Sequence, residues 1–401
     1  MLKRIRKIIA PALIILLGIS PLALFARAES APASFPEISS PAAVLMEFSR
    51  GEILFSQNGS ERMPPASLTK IMTLFLAFEA REEGRVSWDD KVVISEKAWK
   101  TGGSQMFLNA GDSVAFRDLV TGIAVVSAND ACVALAEHLS GLEASFVQEM
   151  NNKARELNLK NTRFENASGL PHPDHYSTAE DIALLSHSLI NKYPEVLDLY
   201  SQEGFTFNGI SQMNRNPLLG RFPGADGLKT GHTTDAGYCL AGTAEQNGMR
   251  FISVIFNASS EGIRQKDSEA LLNFAFRNYC LETVFTAGEI VATTAVSKGE
   301  EKEIQLEVGN DTEVVIPYDR KDDLEIRMDV PEIVTSPVSK GTPLGKVEII
   351  LDGTVLKEEP LLASDDVARA GHLTLFWRSL SGFVSSLWTQ LIEKIQNVLP
   401  W

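Results

Sequence analysis

Cysteine is scarce in this chain, which has three cysteines in 401 residues. Cys132, Cys239 and Cys280 lie far apart in the sequence, and each has apolar neighbours. This wide spacing excludes a cysteine metal knuckle. We expect three small buried thiols, and one disulfide between two of them is the alternative.

Histidine and positive charge are also in short supply. The six histidines are scattered, and the nearest two, His172 and His175, lie in a proline-rich loop. They are better explained as loop residues than as zinc ligands, and we expect neither a metal nor another cofactor. The formal net charge is −15, without a broad basic patch. That charge excludes nucleic acid as a partner.

A long apolar run occurs at the N-terminus, where Ile8 to Phe25 follows four basic residues. Alanines at positions 26 and 28 come next, just before Glu29. This pattern predicts an export signal over residues 1–28, so the remainder would work at the outer face of the cell membrane or in the cell wall. A retained membrane anchor is the alternative, although two prolines and a glycine interrupt the run.

The next 250 residues mix helical and strand patterns. A linker at 30–41 precedes a hairpin, formed by 42–47 and 52–55 around Ser49-Arg50-Gly51. Apolar periodicity predicts helices over 67–84, 146–159, 181–191 and 263–279, with a capping box at 177–180. It also predicts two helices within 116–139, joined by an exposed turn at 127–130. Strands are predicted at 236–244 and 249–256, paired through Asn247-Gly248. The fold class is α+β, an antiparallel sheet with helices on its faces, over residues 29–283.

Two further segments follow the α+β domain. Residues 284–365 contain strictly alternating strands and a turn at Asp352-Gly353, which predicts a small β-sandwich domain. In residues 372–401 the large apolar side chains, including those of Trp377 and Trp388, fall on one helical face. The third tryptophan of this segment, Trp401, is its last residue. We expect an amphipathic helix that associates with a membrane surface. A helix packed on the β domain or in an oligomer interface is the alternative.

The pattern that suggests chemistry is Ser67-Leu68-Thr69-Lys70, at the start of an apolar helical run. Residues three apart in a helical turn share a face, so the Ser67 hydroxyl and the Lys70 amine would lie within reach of each other. The free N–H groups of a first helical turn also favour negative charge developing nearby. The pattern therefore predicts a nucleophile beside its base.

Two later motifs complete a set that serine acyl transferases require. Ser127-Ala128-Asn129 matches S-x-N, and Lys229-Thr230-Gly231 matches K-[ST]-G at the start of a strand. Second matches, at 56–58 and 100–102, are out of order, and we regard them as incidental. Each motif is weak alone, but the ordered set is a strong indication.

With these motifs, the sequence resembles the penicillin-binding D-alanyl-D-alanine carboxypeptidases, low-molecular-weight serine peptidases of the bacterial cell wall. The resemblance covers essentially the whole chain and implies a β-lactamase/transpeptidase-like fold for the first domain. Ala128 departs from the glycine that is frequent in the family. The implied site consists of Ser67, Lys70, Ser127, Asn129, Lys229, Thr230, Gly231, His232 and Arg264.

The resemblance also implies the reaction. Ser67 would attack the penultimate D-Ala carbonyl of a peptidoglycan stem peptide, with a neutral Lys70 as base and Ser127 as proton relay. Asn129 would donate to the substrate amide, and Arg264 would help to hold the terminal carboxylate. β-Lactams would acylate the same serine. Burial and the second cation Lys229 would both favour a neutral Lys70.

Two alternatives remain open at this stage. A serine β-lactamase shares the three motifs but needs a deacylating base, for which Glu165 is the nearest candidate in the sequence. The residues around Glu165 do not resemble the loop that carries such a base. A catalytically idle wall-binding or scaffold protein is the other alternative, and the intact motifs argue against it.

Overall fold

The computed structural model describes residues 34–398, with the backbone alone at 382, 385 and 394–398. The expected export signal, residues 1–28, and the last three residues of the chain lie outside the described part. The α-helices are α1 Lys70–Glu82, α2 Glu96–Lys100, α3 Phe116–Val125, α4 Asn129–Ser140, α5 Glu143–Glu156, α6 Ala179–Lys192, α7 Leu197–Tyr200, α8 Glu261–Asn278 and α9 His372–Val398. The strands are β1 Ala42–Glu47, β2 Glu52–Gln57, β3 Lys91–Val93, β4 Ser113–Ala115, β5 Gly204–Phe207, β6 Ile210–Met213, β7 Ala225–Thr233, β8 Gly237–Gln246, β9 Met249–Ala258, β10 Tyr279–Phe285, β11 Ile290–Ser297, β12 Glu303–Val308, β13 Thr312–Pro317, β14 Glu325–Asp329, β15 Ile333–Thr335, β16 Pro343–Leu351 and β17 Thr354–Ala363.

A five-stranded antiparallel sheet forms the centre of the first part of the chain. Its strand order is β2-β1-β9-β8-β7, so the N-terminal hairpin joins strands that lie some 200 residues later. The expected hairpins β1–β2 and β8–β9 are both confirmed, the second through the Asn247-Gly248 turn. The strand β7, which carries Lys229 to His232, is the last strand of this sheet.

Helices cover both faces of the sheet, as the sequence predicted. Strand β1 is buried along its whole length, because alternate side chains face two different cores. Ala43 and Leu45 pack in the core that includes Leu271 and Leu272 of α8. Val44 and its alternating neighbours pack in the larger core with α1, α3, α4 and α6. The reactive motifs lie on this second, helix-rich side.

The turn between α3 and α4 is buried, whereas the sequence analysis expected it to be exposed. Ser127 is 3% exposed and Asn129 is 5% exposed. The neighbouring Asp130 carboxylate explains why the turn lies so deep: it accepts backbone N–H groups from Met106 and Leu108, and a loop therefore covers the turn. The α6 cap also differs by one residue, because Thr178 caps this helix and not Ser177.

A second group of strands follows directly from α8. The β10–β13 pair and a six-stranded sheet of order β14-β16-β17-β12-β11-β15 enclose one hydrophobic core. Phe285 and Ile316 of the pair meet Leu306, Val347 and Leu361 of the larger sheet in that core. The alternating strand pattern in the sequence gives this two-layer arrangement because one face of each sheet must be buried.

The helix α9 ends the described chain. It has 27 residues, so its length is about 40 Å. Arg378 donates to the carbonyl oxygens of Gly299 and Glu300, which ties the helix to the strand region. Large apolar side chains along α9, Trp377 and Trp388 among them, are nevertheless exposed. Within residues 34–398, helices long and apolar enough to cross a membrane are absent.

Candidate active site

Ser67 and Lys70 lie where a short 3-10 helix, Ala66–Thr69, meets α1. The α-helix begins at Lys70, so Ser67 belongs to the 3-10 turn and not to the first α-helical turn that the sequence suggested. A 3-10 helix has three residues per turn, and positions three apart therefore point in the same direction. As a result, Ser67 Oγ and Lys70 Nζ are 2.9 Å apart.

The Lys70 amine is buried and contacts two further oxygen atoms. It donates to Asn129 Oδ1 at 2.7 Å and to the Ser168 carbonyl oxygen at 2.6 Å. These carbonyl oxygens only accept hydrogen bonds, so a neutral amine that donates to both has its lone pair left for the Ser67 hydroxyl. The geometry is therefore that of a base positioned on Ser67.

Burial favours the neutral form of this amine. It lowers the pKa of Lys70 from 10.5 to about 8; Cys132 acts in the opposite direction, and the positive charge of Arg215 lowers the pKa further. Lys229 is buried as well, and burial together with the charge of Lys70 holds its pKa well below the usual value. Two amines confined near each other cannot both be charged at low cost.

The turn before α4 contributes Ser127 and Asn129. Ser127 has a positive φ of 63°, a backbone conformation that serine rarely adopts. It lines the same cleft as Ser67. The Asn129 amide is occupied at both ends, since its Oδ1 accepts from Lys70 and its Nδ2 donates to the Gly102 carbonyl at 2.8 Å.

The strand β7 passes close to the serine, and Gly231 permits the approach. A Cβ atom on Gly231 would lie 3.1 Å from the Pro65 carbonyl oxygen and 3.2 Å from Ser67 N. The adjacent Lys229 donates to the Thr230 carbonyl at 3.1 Å. On the other side, His232 is exposed and stacks on Tyr238, with 4.1 Å between ring centroids. Backbone N–H groups of Ser67 and β7 therefore lie near each other.

Arg264 lies in the first turn of α8, which Ser260 caps. It is 4% exposed, and its Nε atom has no hydrogen-bond partner among residues 34–398. A buried guanidinium donor without a partner, beside an open cleft, is suited to an anionic ligand group.

The residues of all three motifs meet at one cleft of about 640 Å³. Six of the nine expected site residues line it, namely Ser67, Ser127, Thr230, Gly231, His232 and Arg264. The other three, Lys70, Asn129 and Lys229, are buried next to them. The three sequence motifs are therefore brought together in space.

The cleft also contains residues that the sequence analysis missed, namely Gly103, Ser104, Arg215, Tyr238 and Glu261. Arg215 donates to Ser104 Oγ at 2.7 Å. Its positive charge lowers the pKa of both Lys70 and Lys229. Arg215 belongs to an irregular polar segment without periodicity, so only its position shortly before the Lys229 motif could have drawn attention to it.

The histidine-containing loop has a different environment. The buried His175 Nε2 lies 2.9 Å from Thr69 Oγ1, and burial, followed by the charge of His172, lowers its pKa to about 4. Glu165 pairs with Arg163 at 2.6 Å and does not line the Ser67 cleft. Glu165, His172 and Asp174 each offer one possible metal-ligand atom, and these three atoms lie within 4.8 Å of one another. His175 does not belong to this group. The structure thus groups His172 with two carboxylates.

Two family models match consecutive parts of this chain. A family model for D-alanyl-D-alanine carboxypeptidase matches residues 27–260, and one for the C-terminal domain of penicillin-binding protein 5 matches residues 279–369. The D-alanyl-D-alanine carboxypeptidase DacF of Bacillus subtilis is 37% identical over 92% of this chain and 95% of its own length.

Solved structures are similar as well. Penicillin-binding protein 5 from Haemophilus influenzae is 36% identical, with a TM-score of 0.71 over 84% of this chain and 100% of its own. Penicillin-binding protein D2 from Listeria monocytogenes, in its ampicillin-bound form, is 39% identical, with a TM-score of 0.56 over 60% of this chain and 100% of its own. From its ordered motifs, their convergence and these matches, the chain belongs to the D-alanyl-D-alanine carboxypeptidase family, the penicillin-binding serine peptidases.

Proposed function

We propose that Ser67 is the nucleophile of a serine carboxypeptidase that removes the terminal D-Ala from peptidoglycan stem pentapeptides. The observation that carries the proposal is the 2.9 Å distance between Ser67 Oγ and Lys70 Nζ. The other two hydrogen bonds of the Lys70 amine go to carbonyl oxygens. Such an amine accepts the hydroxyl proton as Ser67 attacks the carbonyl carbon of the penultimate D-Ala. The oxyanion is then bound by the N–H groups of Ser67 and of β7.

Collapse of this intermediate completes acylation. The C–N bond to the terminal D-Ala breaks, and the proton held by Lys70 passes through the Ser127 hydroxyl to the leaving amine. A water molecule then attacks the ester, Ser67 recovers its proton, and the shortened peptide leaves. Ser127 suits the relay because it lines the cleft beside Ser67.

The remaining site residues bind and orient. Thr230, His232 and the unpartnered Nε of Arg264 face the substrate, and we assign the terminal carboxylate to Arg264. We assign Asn129 to the positioning of Lys70, because its amide is bonded at both ends. We assign Lys229 to the support of β7, because its amine donates to the Thr230 carbonyl oxygen, while burial and the charge of Lys70 hold its pKa well below the usual value.

β-Lactams acylate the same serine in this proposal, and a β-lactamase activity is disfavoured. Rapid deacylation needs a base beside the ester. Glu165 pairs with Arg163 and lies outside the cleft lining. Penicillin turnover measured beside D-Ala release separates the two activities.

The test of the nucleophile is labelling with fluorescent penicillin, combined with D-Ala release from a diacetyl-L-Lys-D-Ala-D-Ala tripeptide. We expect Ser67→Ala to abolish both signals and Ser60→Ala, a change at an exposed serine nearby, to keep both. A label that survives Ser67→Ala would reject the nucleophile. A folded wild type that releases no D-Ala would instead support the scaffold alternative.

We also propose that the protein is exported and that residues 29–283, 284–365 and 372–401 form its catalytic, β-sandwich and membrane-associating parts. The basic and apolar pattern of residues 1–28 supports export. The check is N-terminal sequencing of protein recovered from the cell envelope. Export with cleavage gives a chain that begins at Glu29, and a chain that begins at Met1 would favour the retained anchor.

The exposed apolar side chains of α9 support binding in the plane of a membrane surface. Trp377 and Trp388 are each 64% exposed. Their indole rings suit the boundary between water and lipid. We expect the double change Trp377→Ser and Trp388→Ser to weaken binding to phosphatidylglycerol vesicles by about tenfold or more. Ile210→Ser, at a 42% exposed residue of β6, is the control, and equal binding by all three proteins would refute the assignment.

A further inference from the structure

The Lys70 amine is held in part by a loop from a distant part of the chain. It donates to the carbonyl oxygen of the buried Ser168 at 2.6 Å, and this residue lies 98 positions further along the sequence. Ser168 belongs to the segment 165–175, which has no regular helix or strand. The position of this carbonyl oxygen therefore depends on what shapes an irregular loop.

The side chain of Asn166 gives this loop its local shape. Its Oδ1 atom accepts the backbone N–H groups of Ser168, Gly169 and Leu170, at 3.2, 2.7 and 3.0 Å. Its Nδ2 atom donates to the Leu170 carbonyl oxygen at 2.9 Å. Asparagine often supports a turn in this way, because its short amide can replace the hydrogen bonds of regular secondary structure.

One peptide unit connects Asn166 with Lys70. The Ser168 carbonyl and the Gly169 N–H belong to the same planar trans peptide, so they point in opposite directions. Asn166 Oδ1 accepts from the N–H end, and Lys70 Nζ donates to the carbonyl end. Because the unit is rigid, the bond to Asn166 sets the direction of the carbonyl group that Lys70 meets.

Other contacts attach the loop to neighbouring helices. Thr73 Oγ1 donates to the Ala167 carbonyl oxygen at 2.6 Å, and the Ala167 N–H donates to Glu143 at 3.1 Å. His175 Nε2 lies 2.9 Å from Thr69 Oγ1. These contacts hold residues 167 and 175, whereas Asn166 acts on the peptide unit between them.

We propose that Asn166 is a positioning residue for the reaction, which holds the Ser168 carbonyl oxygen against the Lys70 amine. The inference rests on the proposed function, in which Lys70 is the base. With this carbonyl fixed, the lone pair of the neutral amine stays directed at Ser67. The same oxygen accepts from Lys70 after the amine has taken the Ser67 proton. Asn166 does not line the catalytic cleft, so it acts through Lys70 and not on the substrate.

The charges around Lys70 allow this role to be tested. Besides burial, ionisable groups of other elements interact with Lys70, namely Cys132, Arg215, Asp130 and Lys229. On the loop itself, burial lowers the pKa of His175 to about 4, so this side chain is neutral from pH 6 upward. Residues 166–170 have no ionisable side chain. A carboxylate at position 166 would therefore add a new negative charge on this side of the amine.

The experiment measures the rate constant for acylation of Ser67 by fluorescent penicillin, from pH 6 to pH 9, in the full chain. Asn166→Ala removes the acceptor, and we expect the rate constant at high pH to fall at least about tenfold because the base loses its orientation.

The second variant, Asn166→Asp, keeps the acceptor and adds a charge that favours the ammonium form of Lys70. We expect it to recover the rate constant at high pH to within about threefold and to move the rising limb to higher pH by about half a unit or more. Asn310→Asp, at an exposed residue between β12 and β13, is the charge-matched control and should behave as the wild type.

The outcomes distinguish this inference from the proposed function. The role of Asn166 would be overturned by an unchanged rate constant at high pH in Asn166→Ala. It would also be overturned if Asn166→Asp is as slow as Asn166→Ala, or if its limb stays in place or moves to lower pH. Loss of the folded state in both variants, followed by thermal unfolding, would show a structural role only and overturn it as well. A wild-type rate constant that does not rise with pH would instead overturn Lys70 as the base.

Discussion

The pH dependence of Ser67 acylation tests the role of Lys70. Burial lowers the pKa of Lys70 to about 8 from its usual 10.5. With a pKa near 8, about one tenth of the amine is neutral at pH 7, whereas an unshifted lysine would be neutral in only about one molecule in three thousand. The difference corresponds to about 3 kcal/mol. The fold thus supplies a useful fraction of free base near neutral pH.

The direction of the pH dependence follows from which protonation state of Lys70 takes part in acylation. Only neutral Lys70 accepts the Ser67 proton, so the acylation rate constant rises with pH and levels off above about pH 8 to 9. Between pH 6 and pH 8 we expect an increase of about fiftyfold, because the neutral fraction grows from about 1% to about 50%. Rapid-mixing measurements with a fluorescent penicillin give the acylation step directly, without deacylation.

A change at Arg215 makes the test sharper. The charge of Arg215 contributes to the lowered pKa of Lys70, although burial contributes more. Arg215→Gln should therefore move the rising limb to higher pH by less than about one unit. Arg221→Gln, at another exposed arginine of the same segment, is the control and should leave the limb unchanged. A rate constant that is flat from pH 6 to pH 9, or that falls with pH, would refute the assignment of Lys70 as the base.

Two further changes test the packing around the site. A Cβ atom on Gly169 would lie 1.8 Å from the Ala66 carbonyl oxygen, so Gly169→Ala should lower the free energy of unfolding by at least about 2 kcal/mol and slow penicillin acylation. Gly84 also has a positive φ, but a Cβ atom there would meet no other atom within 4 Å. Gly84→Ala should therefore lower the free energy of unfolding in urea by only about 1 kcal/mol and leave the acylation rate unchanged. Equal losses of unfolding free energy in the two variants would contradict the packing argument. The three thiols are free, and burial raises the pKa of Cys132 to about 12 and of Cys239 to about 11. Both should resist iodoacetamide at pH 8 until guanidinium unfolds the protein, and mass spectrometry that finds either alkylated in the native protein would contradict this burial.

The features that the sequence predicted well depend on short-range interactions. The hairpins at Ser49-Arg50-Gly51 and Asn247-Gly248 both follow from turn chemistry. Either an α-helical turn or a 3-10 turn brings Ser67 and Lys70 together, so the predicted pairing is correct although the turn is a 3-10 turn. The order of the three motifs was sufficient to indicate the reaction class.

Other features depend on residues that are distant in the chain. The expected exposure of the Ser127 turn was wrong because Asp130 binds a loop more than twenty residues away, which covers the turn. The role of Asn129 changed for a similar reason, since both ends of its amide find partners elsewhere in the sequence. Arg215 carries no local pattern, and only folding places its charge near Lys70.

The sequence by itself therefore predicted which residues meet at the cleft and in what order they occur, because turn chemistry, side-chain periodicity and motif spacing are local properties. The tertiary structure decided how those groups behave. The lowered pKa of Lys70 arises from removal of water and, to a smaller extent, from the charge of Arg215. The Asn129 and Ser168 oxygens, which lie 59 and 98 residues further along the chain, orient the amine by accepting its hydrogen bonds. Desolvation and long-range contacts exist only once the chain is folded, and no local pattern encodes their strength.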